Sequence, residues 1–396
     1  MPISTQPTRR ELLSAGAGAL TIAAGGTQVD AGPGRAVTGA LAATAADARP
    51  RRPKRIGVIS ASIDGRAQRT NGHTWHFAQY FHPEINMAGI RRHLDPGSVR
   101  MFERYLRSPR YTFDQLPFPD TRITHVYANP ADGLENYIET FPGVRIARTL
   151  DELVESVDAV WLGDASGRGN DHYELVAPGL RRGLPTFCDK PIGGTVAETR
   201  RILDLAREQG APLMSSSLFR HEFGMEHALR MRDSGDFGPI QYVLASMAGG
   251  YTPAGWFIYG HHPVWTVMTL CGPGVEAVSL YAREATAHTL ITYRDRMPAE
   301  VWYGRPDLSG QYCQTNVYFT RQVYQFTPAM EGDFWYGHHY EMFRMAHAFR
   351  EMIHTRREPV PHNEILEVTA ILHAGARSLT ERGRLVQLAE VMPGRD

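Results

Sequence analysis

The sequence predicts an α/β protein in which a doubly wound parallel sheet precedes an α+β domain built on an open, mainly antiparallel sheet. Three observations predict this fold class. In the first half, short apolar runs alternate with helical patterns, as in parallel sheets with helical crossovers. From Ile240 onward, long β-rich stretches with few helices take over. The 396 residues suffice for two domains and a leading segment, which we place at 54–222, 223–396 and 1–53.

The leading segment has the layout of a twin-arginine export signal. Arg9 and Arg10 precede a small, weakly apolar stretch without charge, from Ser14 to Ala24. That stretch is too short and too rich in Gly and Ala to span a bilayer stably, so we expect no stable membrane insertion. An export signal predicts a periplasmic or other extracytoplasmic protein. A disordered Ala/Gly-rich tail that begins with a chance arginine pair is the alternative.

The domain at 54–222 begins with the apolar run Arg55–Ser60, which is typical of a buried parallel strand. Similar runs follow at 123–127, 144–147, 157–162, 185–188 and 212–214. Helical patterns lie between most of them, and Thr195 with Glu198 forms a capping box. In such sheets, ligands bind at the carboxyl ends of the strands, where the strand order reverses. Residues at strand ends are therefore candidates for a ligand site.

The end of the first strand has the spacing of G-x-G-x-x-G, with serine at the first two glycine positions. Ser60, Ser62 and Gly65 are thus candidates for binding a dinucleotide phosphate, although an ordinary strand-to-loop junction would look the same. The second strand ends near Asn129, without the acid that commonly holds the NAD ribose, so NAD and NADP stay equally open. Asp164 follows a later strand and is a further candidate for the cofactor site.

The segment Phe187–Ile192 reads Phe-Cys-Asp-Lys-Pro-Ile and resembles the E-K-P motif of the Gfo/Idh/MocA family, with aspartate in place of glutamate. This family includes glucose-fructose oxidoreductase and inositol dehydrogenase. The likeness is clearest over residues 122–239 and includes His172 before the motif and Arg220 after it. The resemblance implies a Rossmann domain binding NAD or NADP and a second domain for substrate and dimerisation. It also implies a sugar or polyol substrate, a homo-oligomer, and a cis peptide before Pro191.

The motif makes Asp189, Lys190 and Pro191 candidate cofactor residues, together with His172 and Arg220. Physical reasoning also favours Lys190, because Pro191 ends the strand and leaves the lysine at the ligand edge of the sheet. A cation in a water-poor cleft stabilises an alkoxide and so promotes hydride departure to a nicotinamide. A lysine that merely snorkels from a strand end is the alternative interpretation. Export in the folded state predicts in addition that the cofactor is tightly bound.

The family's catalytic D-x-x-x-H motif falls on Ile258 to His262. His262 matches the histidine and is the candidate general base, whereas Ile258 replaces the aspartate. The group that orients the histidine must then come from elsewhere, or the chemistry differs. A buried structural histidine is the alternative.

Further histidines and aromatic side chains are candidates for substrate contact. A second Gly-His-His occurs at 337–339, but adjacent histidines rarely ligate one ion, so we predict no metal site. The long connection at 66–120 is read as a lid or substrate wall, although a surface insertion would look the same. The predicted substrate residues are His73, His76, Tyr259, His261, Trp335, His338 and His339.

Composition excludes other classes of function. The 42 Lys and Arg residues balance 42 Asp and Glu residues, which disfavours a nucleic-acid partner. Three cysteines without C-x-x-C spacing indicate neither a disulfide framework nor a thiolate zinc site.

The leading hypothesis is oxidation of a secondary hydroxyl of a sugar or cyclitol, with Lys190 stabilising the alkoxide and His262 taking the proton. Two alternatives stay open. One is glycoside cleavage through transient oxidation by a bound nucleotide. The other is a non-catalytic protein that binds nucleotide or sugar, which Ile258 and the serine-substituted loop favour.

Overall fold

The computed structural model describes residues 52–63, 66–67, 73–105, 116–129, 133–163, 168–248, 252–304, 313–327 and 334–392. The predicted export signal lies outside these residues. None of the helices within the described ranges combines the length and the apolar character that crossing a membrane requires.

The first sheet is the predicted doubly wound parallel sheet. Its strands are β1 (Lys54–Ile63), β2 (Arg66–Ala67), β3 (Thr121–Asn129), β4 (Arg145–Ile146), β5 (Ala159–Leu162), β6 (Thr186–Cys188) and β7 (Leu213–Met214). Six strands run parallel in the order β4-β3-β1-β5-β6-β7, while β2 pairs antiparallel with β1. The chain therefore winds outward in both directions from β1, and the order reverses between β1 and β5.

Helices lie between the strands of this sheet along the chain, as the alternating pattern predicts. They are α1 (His73–His76), α2 (Ala78–Phe81), α3 (Met87–His93), α4 (Pro96–Tyr105), α5 (Leu134–Thr140), α6 (Leu150–Ser156), α7 (His172–Arg181) and α8 (Val196–Glu208). Thr195 caps α8, because its side-chain oxygen accepts the amide of Glu198 at 3.1 Å. The helix predicted from that cap is confirmed.

The described segment 73–81 of the long connection after β1 belongs to the core of the protein. This segment contains α1 and α2, and it buries Trp75, Phe77, Tyr80 and Phe81 almost completely. The ring of Phe77 lies 4.6 Å from that of Trp161 on β5, which itself stacks on Phe187 of β6 at 3.8 Å. This segment is thus fixed against the middle of the first sheet.

The second sheet is mixed but mainly antiparallel, as predicted. Its strands are β8 (Ile240–Ala248), β9 (Val275–Arg283), β10 (Thr286–Tyr293), β11 (Ala299–Gly304), β12 (Cys313–Phe319), β13 (Val323–Phe326) and β14 (Val386–Gln387). The strand order is β13-β12-β8-β11-β10-β9-β14. Among the described pairings of this sheet, β8 and β11 run parallel and the others antiparallel.

The remaining helices are α9 (Phe223–Ser234), α10 (Pro253–Gly255), α11 (His261–Cys271), α12 (Phe334–Thr355) and α13 (His362–Thr380), with 3-10 turns at Leu218–His221 and Leu388–Glu390. Helices α11 and α13 form a helical layer on the second sheet. Phe349 of α12 instead contacts Trp161 and Phe187 of the first sheet. A π-helical turn, Trp256–Gly260, joins α10 to α11. Trp256 is fully buried and donates its indole N–H to the Leu372 carbonyl at 2.9 Å, which fixes the turn against α13.

Candidate active site

The turn after β6 carries a buried lysine. Lys190 is only 4% exposed, and its peptide bond to Pro191 is cis, as the family resemblance predicts. The Lys190 amide donates to Asp189 Oδ1 at 2.8 Å. The other carboxylate oxygen, Oδ2, lies 2.7 Å from Nδ1 of His73 on α1. Asp189 therefore joins the lysine turn to the start of the long connection.

The ammonium group of Lys190 reaches from the first sheet to the helical layer of the second. Its Nζ donates to the main-chain carbonyl of Ile258 at 3.1 Å and lies 5.8 Å from the centre of the Tyr259 ring. Both residues belong to the π-helical turn. In a π-helix that carbonyl would accept the N–H five residues on, but the residue there is Pro263, which has none. The carbonyl thus keeps the capacity to bind the ammonium.

His262 lies at the start of α11 and is 7% exposed. Its Nδ1 is 2.7 Å from the hydroxyl of Ser217, at the beginning of the 3-10 turn after β7. The Phe219 ring lies 5.0 Å from the imidazole, tilted by 31°. Both contacts hold the ring in one orientation.

The neighbouring His261 is also buried, at 4% exposure. Neither of its ring nitrogens has a hydrogen-bond partner among the described residues. Burial, together with the positive charge of Lys190, holds the pKa of His261 well below its usual value. His261 is therefore a neutral imidazole with one donor and one acceptor that no described residue satisfies.

The structure brings one group of the predicted residues together: Asp189, Lys190, Pro191, His73, Tyr259, His261 and His262. His76 lies farther along the connection and contacts Ser98 at 3.1 Å. His172 is fully buried, with its Nδ1 3.6 Å from the Cys188 sulfur. Arg220 pairs with Glu364 of α13 at 2.7 Å. The proposed cofactor roles of His172 and Arg220 stay predictions.

Other predicted residues lie wholly or partly outside the described part of the chain. Gly65 and Asp164 lie outside the described residues. For Ser60, Ser62, Asn129, Trp335, His338 and His339 the structure describes the main chain only, in β1, β3 and α12.

The first strand is longer than the sequence indicates. We expected it to end at Ser60, with a phosphate-binding turn to follow. Instead β1 continues to Ile63 and folds back on β2, so that Ser62 lies opposite Ala67 and Ile63 opposite Arg66. The expectation that Ser60 and Ser62 occupy a turn was wrong, because Ser60 pairs with Ala128 of β3 and Ser62 with Ala67 of β2, partners that a local pattern does not show.

Sequence reasoning missed two contributors to this site. Ser217 belongs to a run of three buried serines, Ser215 to Ser217, whose position directly after β7 was the available signal. The Ile258 carbonyl has no sequence signal, because every residue carries one.

The residues at this edge fit the reacting end of a nicotinamide dinucleotide. They supply a buried cation and, on His261, two buried nitrogens without a described partner, the kind of groups that a polar ligand satisfies. Residues 64–65, 68–72, 130–132 and 164–167 are not among those described. Within the described ranges, no cluster of three or more His, Cys, Asp or Glu side chains is placed to hold a metal ion.

Residues 97–217 match the model of the Gfo/Idh/MocA family, described as an oxidoreductase family with an NAD-binding Rossmann fold. One relative is dTDP-3,4-didehydro-2,6-dideoxy-alpha-D-glucose 3-reductase of Streptomyces violaceoruber, 31% identical over 32% of this chain and 37% of the relative. Another is inositol 2-dehydrogenase of Leifsonia xyli subsp. xyli, 30% identical over 26% of this chain and 30% of the relative. The chain spans less than two thirds of the length of the curated relatives it matches, between 29% and 64% for the first three.

Solved structures extend the likeness to the second domain. Scyllo-inositol dehydrogenase of Lactobacillus casei, with bound NAD(H) and scyllo-inositol, superposes with a TM-score of 0.62 at 13% identity. That match covers 85% of this chain and 100% of the other. A probable dehydrogenase from Thermotoga maritima gives a TM-score of 0.62 at 16% identity, covering 85% and 99%. At such identities the likeness shows the fold alone, and the family model covers residues 97–217 of the chain.

Proposed function

We propose, on the premise that this chain is an oxidoreductase of the Gfo/Idh/MocA family, that it transfers a hydride between NAD or NADP and a secondary hydroxyl of a sugar, polyol or cyclitol. The observation that carries the proposal is the buried Lys190 amine at the carboxyl edge of the parallel sheet. The chain has only two lysines, and the other one, Lys54, is exposed.

The two reacting side chains take complementary roles. Lys190 stabilises the negative charge that develops on the substrate oxygen, because a cation in a desolvated cleft acts strongly on that charge. His262, held through Nδ1 by Ser217, presents Nε2 to accept the hydroxyl proton. The nicotinamide, when bound, supplies the hydride acceptor. The Asp189-Lys190-Pro191 turn would hold it, with the ends of β1 and β3.

A polyol-like substrate agrees with the polar and aromatic groups around Lys190. His261 offers a donor and an acceptor to hydroxyl groups, and the half-exposed ring of Tyr259 offers a face on which a sugar ring can pack. Similarity to an inositol dehydrogenase and to a reductase of a nucleotide-linked sugar supports the same class.

Three broader features belong to this proposal. We propose that the protein is exported folded by the twin-arginine route, on the strength of the Arg9-Arg10 segment. Folded export favours a cofactor that stays tightly bound. The open second sheet supports a homo-oligomer of the kind the family resemblance implies.

The experiment is a nucleotide-absorbance assay on purified protein with inositols, free sugars and nucleotide-linked sugars. We expect turnover by the natural protein and loss of more than about 1,000-fold in Lys190→Ala, since this removes charge stabilisation at the reacting oxygen. Lys54→Ala, which removes the exposed second lysine, is the matched control and should keep full activity. Activity retained by folded Lys190→Ala would overturn the proposal. Release of sugar from a glycoside without net change in nucleotide absorbance would instead indicate the glycosidase reaction.

A further inference from the structure

Two adjacent serines after β7 each contact a different histidine. Ser216 Oγ lies 3.1 Å from Nε2 of His221, and Ser217 Oγ lies 2.7 Å from Nδ1 of His262. Both serines are fully buried. The first contact is local in the chain, whereas the second spans 45 residues and joins the end of the first sheet to α11.

Ser217 is rigidly placed for its contact. It stands at the start of the 3-10 turn Leu218–His221, where its Oγ also accepts the Phe219 amide at 3.0 Å. Phe219 in turn lies against the His262 ring. One short segment therefore fixes the imidazole both through a hydrogen bond and through a ring contact.

The nature of the partner matters for the chemistry of His262. A carboxylate can only accept a hydrogen bond, whereas a hydroxyl can accept one from a protonated Nδ1 or donate one to a bare Nδ1. Ser217 can thus hold the ring while its proton count changes. Because Nδ1 faces Ser217, Nε2 is the nitrogen that we assign to proton exchange with a substrate.

The lysine side of the site is also held by a neutral group. Nζ of Lys190 donates to the carbonyl of Ile258, the residue that stands where the resemblance places an aspartate. The Ile258 side chain cannot orient a histidine, but its main chain holds the ammonium within the site.

We propose that Ser217 is the positioning residue of His262, in place of the aspartate that the resemblance would put at Ile258. This inference rests on the proposed function for its catalytic meaning. The contact itself can be tested without catalysis.

The test is ¹⁵N NMR of the full-length protein labelled at histidine, without nucleotide or substrate. The His262 signals are assigned by their loss in His262→Gln. We expect the Nδ1 signal of His262 to shift in Ser217→Ala and to stay near its natural position in Ser217→Thr, which keeps the hydroxyl. Ser216→Ala, the matched control, should shift His221 and leave His262 unchanged.

Kinetics provide the second readout. Ser217→Ala should lower kcat by about 10- to 100-fold with little change in KM for the nucleotide, because a misoriented base slows proton transfer without weakening binding. Ser217→Thr should recover most of the loss, and Ser216→Ala should keep kcat. An unchanged His262 Nδ1 signal in folded Ser217→Ala, or equal losses of kcat in both alanine variants, would overturn the inference. Absence of hydride transfer with every substrate would refute the proposed function but leave the NMR result standing.

Discussion

Two regions of the candidate site hold their histidines differently. On α1, His73 meets the buried carboxylate of Asp189 at 2.7 Å. On α11, His262 meets the hydroxyl of Ser217 at the same distance. A carboxylate favours a proton on the ring nitrogen that faces it, because the carboxylate can only accept a hydrogen bond. A hydroxyl can bind that nitrogen whether or not the nitrogen carries a proton. The first histidine is therefore suited to anchor a loop and the second to exchange a proton.

Replacing each histidine in turn tests this difference in role most directly. We expect His262→Ala to lower kcat by about 10²- to 10⁴-fold, the usual contribution of a general base. His73→Ala should instead lower the free energy of unfolding by about 2 kcal/mol, because it removes the histidine partner of Oδ2 on the buried Asp189. Steady-state kinetics and urea unfolding on both variants separate these effects. A larger loss of kcat in fully folded His73→Ala would reverse the two assignments.

A second test changes Gly169, which lies against the Asp189-Lys190-Pro191 turn. Gly169 has a φ of +75°, and a Cβ built there would overlap the carbonyl oxygen of Pro191. We expect Gly169→Ala to destabilise the protein by about 3 kcal/mol, from the strained φ and the displaced turn, and to lower activity with it.

Gly210→Ala is the matched control for that variant. Gly210 also has a positive φ, +58°, but nothing lies within 4 Å of its built Cβ. Only the conformational cost of about 1 kcal/mol should remain. Equal losses of unfolding free energy in both variants would show that the contact with the Pro191 turn contributes nothing.

The stability of the region around Ser217 should depend on pH. Glu222 follows the 3-10 turn and is 1% exposed, and burial raises its pKa from 4.5 to about 8. The folded state therefore holds a proton that the unfolded state releases above pH 4.5. This stabilisation is complete below pH 4.5 and is lost as the pH rises through 8.

Glu222→Gln should remove the loss of stability at high pH, because glutamine cannot release a proton. We expect the variant to be more stable than the natural protein by about 2 kcal/mol at pH 9 and nearly equal to it at pH 4. Urea unfolding at both pH values measures the difference. Glu208→Gln, at an exposed position of α8, should show no such pH dependence. The same behaviour in both variants would mean that burial of Glu222 has no energetic effect.

His221, beside Glu222, responds to pH in the opposite direction. Burial lowers its pKa to about 3, so this residue destabilises the folded state as the pH falls from 6.5 toward 3. The support of Ser217 and His262 thus loses stability at both ends of the pH range.

The sequence by itself determined both sheets and the place of the lysine. Apolar runs and helical patterns reflect residues that are near in the chain, so β5, β6 and the cap of α8 could be predicted. Pro191 ends β6 for a reason local to the backbone, and the strand-end rule then places Lys190 at the ligand edge.

Only the tertiary structure decided which groups meet at that edge. Ser217 and His262 lie 45 residues apart, and His73 and Asp189 lie 116 apart, so no local pattern pairs them. The Ile258 carbonyl became the partner of Lys190 through the π-helical turn and the missing N–H of Pro263. Packing chooses such partners among chemically similar groups, because hydroxyls, carboxylates and carbonyls throughout the chain could serve equally well until the fold sets their distances.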